Sequence, residues 1–324
     1  MIATSIGLGR YQNIVKALRG LKAKPKGKLL LKPNLVAGGL AASHIDAVRA
    51  VLDSLDIACI AEGSGVGTDE LYSMFGYRRL AQEHGVELVD LNRTDEWSGI
   101  VDFELIDGRK VKVRVSDYAK RYDIISLALP KTHDHAIVTL TLKNMLGFVH
   151  PEDRGLVHGY SATFGRAMRV ALLRKIASYF SRYKRLSRLY SSTEVEEAKY
   201  VLGAKVVNKN IAALLKLVTP QLGIIDGFVG MQGDGPVGGE PLEWNIAIAG
   251  DPLECDVYCT HQMGFDPVNV GYLRHLGAPR VEKIKLFGDE ILMKKFKPHR
   301  KYELQLMWKE LSPKAGEVAS KCVS

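Results

Sequence analysis

The residues best suited to chemistry stand close together in one stretch. Lys131, Thr132, His133, Asp134 and His135 follow one another, and Lys143 and Asn144 come shortly after. A lysine ammonium neutralises a carboxylate or a phosphate. A histidine, with an ordinary pKa of about 6.5, exchanges protons near neutral pH. His133 is therefore the candidate acid/base and Lys143 a candidate catalytic cation. The stretch follows an apolar run, Ile124-Ile125-Ser126-Leu127-Ala128-Leu129, that reads as a buried strand stopped by Pro130. In open α/β sheets, ligands bind just beyond the carboxyl ends of strands, so the polar cluster falls where a site is expected. The Lys143-Asn144 pair lies in an otherwise apolar segment that reads as a helix.

The same arrangement recurs at two other strand ends. Lys28-Leu29-Leu30-Leu31 ends in Lys32-Pro33-Asn34, which sets a cation and an amide together. Leu222-Gly223-Ile224-Ile225 runs into Asp226-Gly227 and a loop rich in glycine, with seven glycines from Gly223 to Gly239. Lys32, Asn34, Lys131 and Asn144 are the expected substrate-binding residues. Gly233 and Gly235 join them, because glycine lets the backbone approach a ligand and successive N–H groups can form a nest for an anion. Asp226, Asp234 and Asp256 could instead hold a hard divalent cation such as Mg²⁺, which prefers oxygen ligands. Asp226 is also a candidate catalytic base. The cysteines, Cys59, Cys255, Cys259 and Cys322, make neither a CxxC pair nor an iron–sulfur run, so no iron–sulfur cluster is expected. Cys255 and Cys259 share a helix face near His261 and read as buried thiols.

These residues need a scaffold, and the remaining pattern supplies one. A strand or loop and a helix around Tyr11–Leu21 open the chain. Gly7-Leu8-Gly9 lacks both a clear preceding strand and the third glycine of a dinucleotide-binding loop. Ser43 is placed to cap a helix running to about Leu55. Ile57–Ala61 is a strand that runs into Glu62-Gly63. Helices around Thr68–Phe75 and Tyr77–His84 and a strand at Val86–Val89 follow. This alternation predicts an α/β fold: a mainly parallel sheet with helices on both faces. Val101–Val115 alternates apolar and polar residues about Asp107-Gly108, a hairpin signal, and is expected as an inserted antiparallel ribbon at or near the sheet edge. Trp244–Gly250 is a strand, and Asp251-Pro252 opens a helix as cap and first residue. Asp266-Pro267 starts another helix through Leu276, and Val281–Phe287 reads as an edge strand.

A basic helical insertion is expected at about 152–218. From Phe164 to Tyr190 apolar residues recur at three- and four-residue steps, Arg and Lys surround them, and no acidic residue interrupts. A helix of that length would be about 40 Å long. A break is expected around Ser192-Thr193-Glu194, and a further helix at Asn210–Leu217. The tail from about 295 is basic and weakly patterned. The whole reads as a single α/β domain over 1–324.

In this order, the pieces resemble the domain of unknown function 362 family, an archaeal and bacterial group. The carriers are Lys32-Pro33-Asn34-Leu35, Ser43-His44, Glu62-Gly63, Lys131-Thr132-His133 and Leu142-Lys143-Asn144 with Gly147. Further on come Asp226-Gly227, Gly233-Asp234-Gly235-Pro236, Asp256, and Met263-Gly264 with Asp266-Pro267. The resemblance covers about residues 28–275. It implies an α/β fold and a soluble prokaryotic protein, and it implies no reaction. Some relatives carry ferredoxin-type cysteine runs, which this chain lacks. The basic segment Phe164–Tyr190 matches none of these motifs.

Composition narrows the function classes. Of 324 residues, 46% are hydrophobic and 25% charged, as in ordinary soluble proteins. No apolar run approaches the ~18 residues of a membrane span. The first residues show no basic region followed by an apolar core, so a cytoplasmic protein is expected. The formal net charge of +9 favours acidic partners. Two readings follow. The first is an enzyme acting on a small anionic substrate, with or without a divalent metal. The second is a nucleic-acid-binding protein that uses the basic helix 164–190, with affinity falling steeply with salt. No helix-turn-helix, zinc-finger or RNA-recognition signature supports the second, and the enzyme is favoured.

Overall fold

The computed structural model of the chain describes residues 1–160 and 193–309. The basic stretch 164–190 and the end of the tail, including Cys322, lie outside the described residues. The chain opens with β1 (Ile2–Ile6), α1 (Arg10–Arg19), β2 (Leu29–Lys32), α2 (Ile45–Leu52) and β3 (Ile57–Glu62). Next come α3 (Thr68–Met74), α4 (Tyr77–His84), β4 (Glu87–Asp90) and the hairpin β5 (Gly99–Glu104) and β6 (Lys110–Val115). A short α5 (Tyr118–Arg121) leads to β7 (Asp123–Ala128) and the small ribbon β8 (Lys131–His133) and β9 (Ile137–Thr139). Beyond the undescribed stretch lie α6 (Thr193–Leu215), β10 (Leu222–Gln232), β11 (Glu240–Gly250) and α7 (Pro252–Gln262). The last elements are α8 (Gly271–His275), β12 (Leu286–Gly288) and α9 (Tyr302–Leu306).

The main sheet runs in the order β12-β1-β11-β10-β7-β2-β3-β4. Its heart is parallel, through the pairs β10–β7, β7–β2, β2–β3 and β3–β4. β11 runs against both of its neighbours. The chain lays β2, β3 and β4 outward in one direction, then returns to place β7 on the other side of β2. The strand order therefore reverses between β2 and β7, and a crevice opens there at the carboxyl ends.

Strands buried on both faces read as nearly unbroken apolar runs. Leu29 and Leu31 of β2 pack on one face with Ile14 and Leu18 of α1, Val48 of α2 and Tyr77 of α4. Leu30 faces the opposite layer, which holds Ile211 of α6, Cys259 of α7, Tyr272 of α8 and the hairpin. Each such Leu or Ile contributes about 1.5–3 kcal/mol by leaving water. The scaffold under the crevice is therefore held from both sides.

One local expectation is met and others are corrected. The expected antiparallel ribbon forms, as the β5–β6 hairpin, a two-stranded sheet of its own. The reason is that Phe103 and Val113, both fully buried, anchor it on the α6 face. Among the described residues α6 covers Thr193–Leu215, well beyond the helix expected at Asn210–Leu217. Its buried Val201, Ala204, Val207, Ile211 and Leu214 keep a helical period that intervening lysines obscure in the sequence. The helix through Leu276 contracts to a 3-10 turn at Pro267–Asn269 and the five-residue α8. Of the edge strand expected at Val281–Phe287 only Leu286 and Phe287 pair, together with Gly288, in parallel with β1. Among the described residues no helix is long and apolar enough to cross a membrane.

Candidate functional site

The crevice between β2 and β7 deepens into a cavity of about 790 Å³. Three strand ends reach it. β2 delivers Lys32 and Asn34, β3 delivers Glu62, and β7 leads through Pro130 into Lys131 and His133. A fourth segment, the 3-10 turn Lys143–Phe148, brings Lys143 and Asn144. Lys32, Asn34, Glu62, Lys131, His133 and Asn144 are each at most 4% exposed, so their polar atoms must find partners inside the protein.

They find one another. Lys131 Nζ donates to Asn34 Oδ1 at 2.6 Å and to the Ala41 carbonyl at 3.0 Å. Asn34 Nδ2 donates to Asn144 Oδ1 at 2.9 Å, and Lys32 Nζ donates to the same oxygen at 3.1 Å. Asn144 Nδ2 returns a hydrogen bond to the Lys32 carbonyl at 3.0 Å. Lys32 Nζ also donates to the Pro33 carbonyl at 2.9 Å and pairs with Glu62 Oε1 at 2.6 Å. The Glu62 carboxylate further accepts Leu35 N–H at 2.8 Å and Gly63 N–H at 2.7 Å.

The turn that carries Lys143 is not the regular helix expected. It is a 3-10 turn whose entry is clamped from α7. The buried Asp256 accepts Thr141 N–H at 2.9 Å, Thr141 Oγ1–H at 2.6 Å and Leu142 N–H at 3.0 Å. Gly147 closes the turn against the Lys32–Glu62 pair, where an added Cβ would sit 2.6 Å from Lys32 Cε and 2.8 Å from Glu62 Oε1. Ser43 does not cap α2. His44 does, through Nδ1 accepting Asp46 N–H at 3.2 Å. Ser43 Oγ instead accepts Asn34 N–H at 2.9 Å and fixes the loop after β2.

The family model described as a domain of unknown function, DUF362, matches residues 29–261 of this chain. The chain belongs to the DUF362 family. The matched span runs from the start of β2 into α7, so it contains every cavity lysine named above and the Asp256 clamp. No curated protein matches this DUF362 chain. Among solved structures, a Thermotoga maritima protein matches with a TM-score of 0.39 and 11% identity, over 72% of this chain and 53% of that protein. The chain thus spans about half the length of that protein.

The electrostatics of this DUF362 cavity are uneven. Lys32 uses its three donors on Pro33, Asn144 and Glu62. Lys131 keeps one donor, and its two acceptors are neutral oxygens. Lys143 has neither a hydrogen bond nor an ion pair among the described residues. Burial, then the nearby Lys143, pushes the Lys131 amine down to about 7. Burial pushes Lys143 down to about 8, against a pull from Asp134. Burial, then Lys143, pushes His133 down to about 3, so its ring is neutral at pH 7. His133 Nδ1 accepts His135 N–H at 3.0 Å and Ala136 N–H at 3.2 Å. Asp134 Oδ1 also lies 2.9 Å from Nδ1, which would be an ion pair only with a protonated ring. His158, another cavity residue, is pushed by burial and His135 down to about 4.

The structure brings together Lys32, Asn34, Lys131, His133, Lys143 and Asn144, and it separates the aspartates. Asp226 lies on the α1 side of the sheet, paired with Arg10 Nε at 2.9 Å. Asp256 lies on the α7 side. Asp234 is tied to the C-terminal segment through Arg300 Nη2 at 3.1 Å. These three do not converge on one cation, and among the described residues no three His, Cys, Asp or Glu side chains do. Gly233 and Gly235 spend their N–H groups internally, on the Lys297 and Gly233 carbonyls at 2.7 and 2.9 Å. Gly235 is small because a side chain there would meet the Thr132 carbonyl. Glu62, Thr139 and His158 also line the cavity without having been singled out as site residues. Glu62 carried a signal, a carboxylate at a strand end, whereas Thr139 hides in an apolar run.

Proposed function

We propose that the chain is an enzyme acting on a small anionic substrate, a carboxylate or a phosphate, held in this cavity. The observation that carries the reading is Lys143. Its amine opens on the cavity with no partner among the described residues, beside a second lysine, Lys131, whose hydrogen-bond acceptors are all neutral. An anion completes such a site, and a perturbed buried lysine in a cleft is a common mark of function. Lys143 and Lys131 would neutralise the substrate. Acid/base work at neutral pH falls to Lys143, whose pKa of about 8 suits it. His133, neutral at pH 7, would hydrogen-bond the substrate through Nε2. Asn34 and Asn144 hold the lysines, and the Lys32–Glu62 pair fixes the floor. The reading gives no role to a divalent cation, because the aspartates expected to bind one are committed elsewhere.

The test is thermal unfolding of nucleic-acid-free protein with phosphorylated metabolites and small carboxylates, each with and without Mg²⁺. A ligand at ~100 times its dissociation constant adds about 2.7 kcal/mol, which moves the midpoint by a few degrees. A shift that disappears in Lys143→Ala is expected. Absence of a shift with every anion would reject the reading.

A further inference from the structure

We propose that the cavity is built for a dianion, either a phosphoryl group or a pair of carboxylates. Lys131 and Lys143 would take one negative charge each, and Thr139 would direct a hydroxyl at the ligand. The inference rests on the anion-binding reading above and adds the substrate's charge and a further binding residue.

The first support is charge balance. Glu62 is spent on Lys32, at 2.6 Å, and on two backbone N–H groups. The Arg154 guanidinium donates to Asn92 Oδ1 at 2.8 Å and to the Val149 carbonyl at 3.0 Å. Asp134, the other nearby carboxylate, lies between the Nδ1 atoms of His133 and His135 at 2.9 and 3.0 Å, and its side chain is 40% exposed. His133 and His158 are neutral at pH 7 and add no charge. Lys131 and Lys143 are the two cavity lysines that make no ion pair among the described residues, and Asp134 acts on Lys143 only from a distance. A buried cation without a counter-charge is costly. A dianion sets an anionic oxygen against each amine, which a single negative charge does not.

The second support is independent of charge. Thr139 is 3% exposed and lines the cavity, yet its Oγ1 is buried without a hydrogen-bond partner among the described residues. Buried hydroxyls are ordinarily satisfied. In the β8–β9 ribbon Thr139 pairs directly with Lys131, so the orphan hydroxyl stands beside the lysine that keeps a free donor. The ribbon holds this register through a turn at Ile137, where φ is +65° and Val138 N–H bonds to the Ala136 carbonyl at 2.7 Å. A β-branched residue strongly disfavours that conformation. Strain of this kind gathers at ligand sites.

Titration calorimetry at matched ionic strength tests the proposal, with three probes: sulfate, malonate and acetate. Sulfate or malonate is expected to bind roughly tenfold or more tighter than acetate, as one added charge-assisted contact gives. Sulfate alone binding tightly would point to a phosphoryl substrate, and malonate alone to a dicarboxylate. Lys131→Gln should bring dianion affinity down to the acetate level. Thr139→Val, which loses no partner within the chain and keeps the shape, should weaken the dianion by roughly tenfold and serves if Lys131→Gln does not fold. Acetate binding as tightly as the dianions, with binding still lost in Lys143→Met, would overturn the dianion and leave the anion site standing. No heat from any probe would overturn both.

Discussion

Lys143→Met should make the ligand-free protein more stable, and the gain should depend on pH. Methionine keeps the length of the side chain and removes the charge. The Lys143 amine makes no hydrogen bond or ion pair among the described residues, so the substitution strands no partner. Its pKa falls from 10.5 to about 8, which at about 1.4 kcal/mol per pH unit sets a ceiling of roughly 3 kcal/mol on the penalty. The residue is only partly buried and the cavity admits water, so screening reduces this to about 1–2 kcal/mol. In a chain of this size that raises the midpoint by roughly 1–3 °C. The sign with pH follows from linkage. The folded-state pKa lies below the unfolded one, so between about pH 8 and 10.5 the unfolded chain holds more protons and wild-type stability rises with pH. The advantage of the Met variant is therefore complete below about pH 8 and gone by about pH 10.5. Thermal unfolding of both proteins at pH 6.5 and pH 10 reads this directly. A variant less stable than wild type at pH 6.5 would refute the reasoning. A gain equal at both pH values would assign the effect to methionine packing and refute the charge argument as well.

Lys32→Met should act in the opposite direction, because it strands Glu62 in the interior. Breaking a buried pair costs about 3–5 kcal/mol, so chemical denaturation should show a large loss where Lys143→Met shows a gain. Gly147→Ala should cost about 1–3 kcal/mol by overpacking, since its Cβ would press on Lys32 and Glu62, which cannot withdraw without breaking their pair. Equal midpoints for wild type and Gly147→Ala would show that the turn has room to move.

What the sequence disclosed and what it hid divide along a physical line. Lys32, Asn34, Lys131, Lys143 and Asn144 could be read together because apolar runs and Pro33 or Pro130 mark where strands stop, and strand ends in a parallel sheet share one edge. Those signals are local. The fate of a carboxylate is not. Asp256 looks, in sequence, as free to bind a cation as any aspartate at the start of a helix. Its acceptors are occupied by Thr141 and Leu142, more than a hundred positions away, and only the packing of α7 against the turn brings them there. Asp226 is claimed in the same way by Arg10. The glycines divide likewise. The dense run around Gly233 and Gly235 spends the Gly233 and Gly235 N–H groups on its own chain, whereas Gly63, the first glycine of Gly63-Ser64-Gly65-Val66-Gly67, and Gly147 meet at the cavity, where a Cβ on Gly63 would be driven onto the Gly147 carbonyl.

Burial also bears on the role that residue type suggests for His133. A histidine after a strand reads as a proton-transfer group, and burial beside Lys143 takes its pKa down to about 3 and leaves the ring neutral at pH 7. The same burial brings Lys143 to about 8, the value on which its proposed acid/base role rests. Desolvation therefore decides which of these groups is charged at neutral pH. It acts through the depth of the cavity, a property of the whole sheet and both of its helical layers, which no short window of sequence contains.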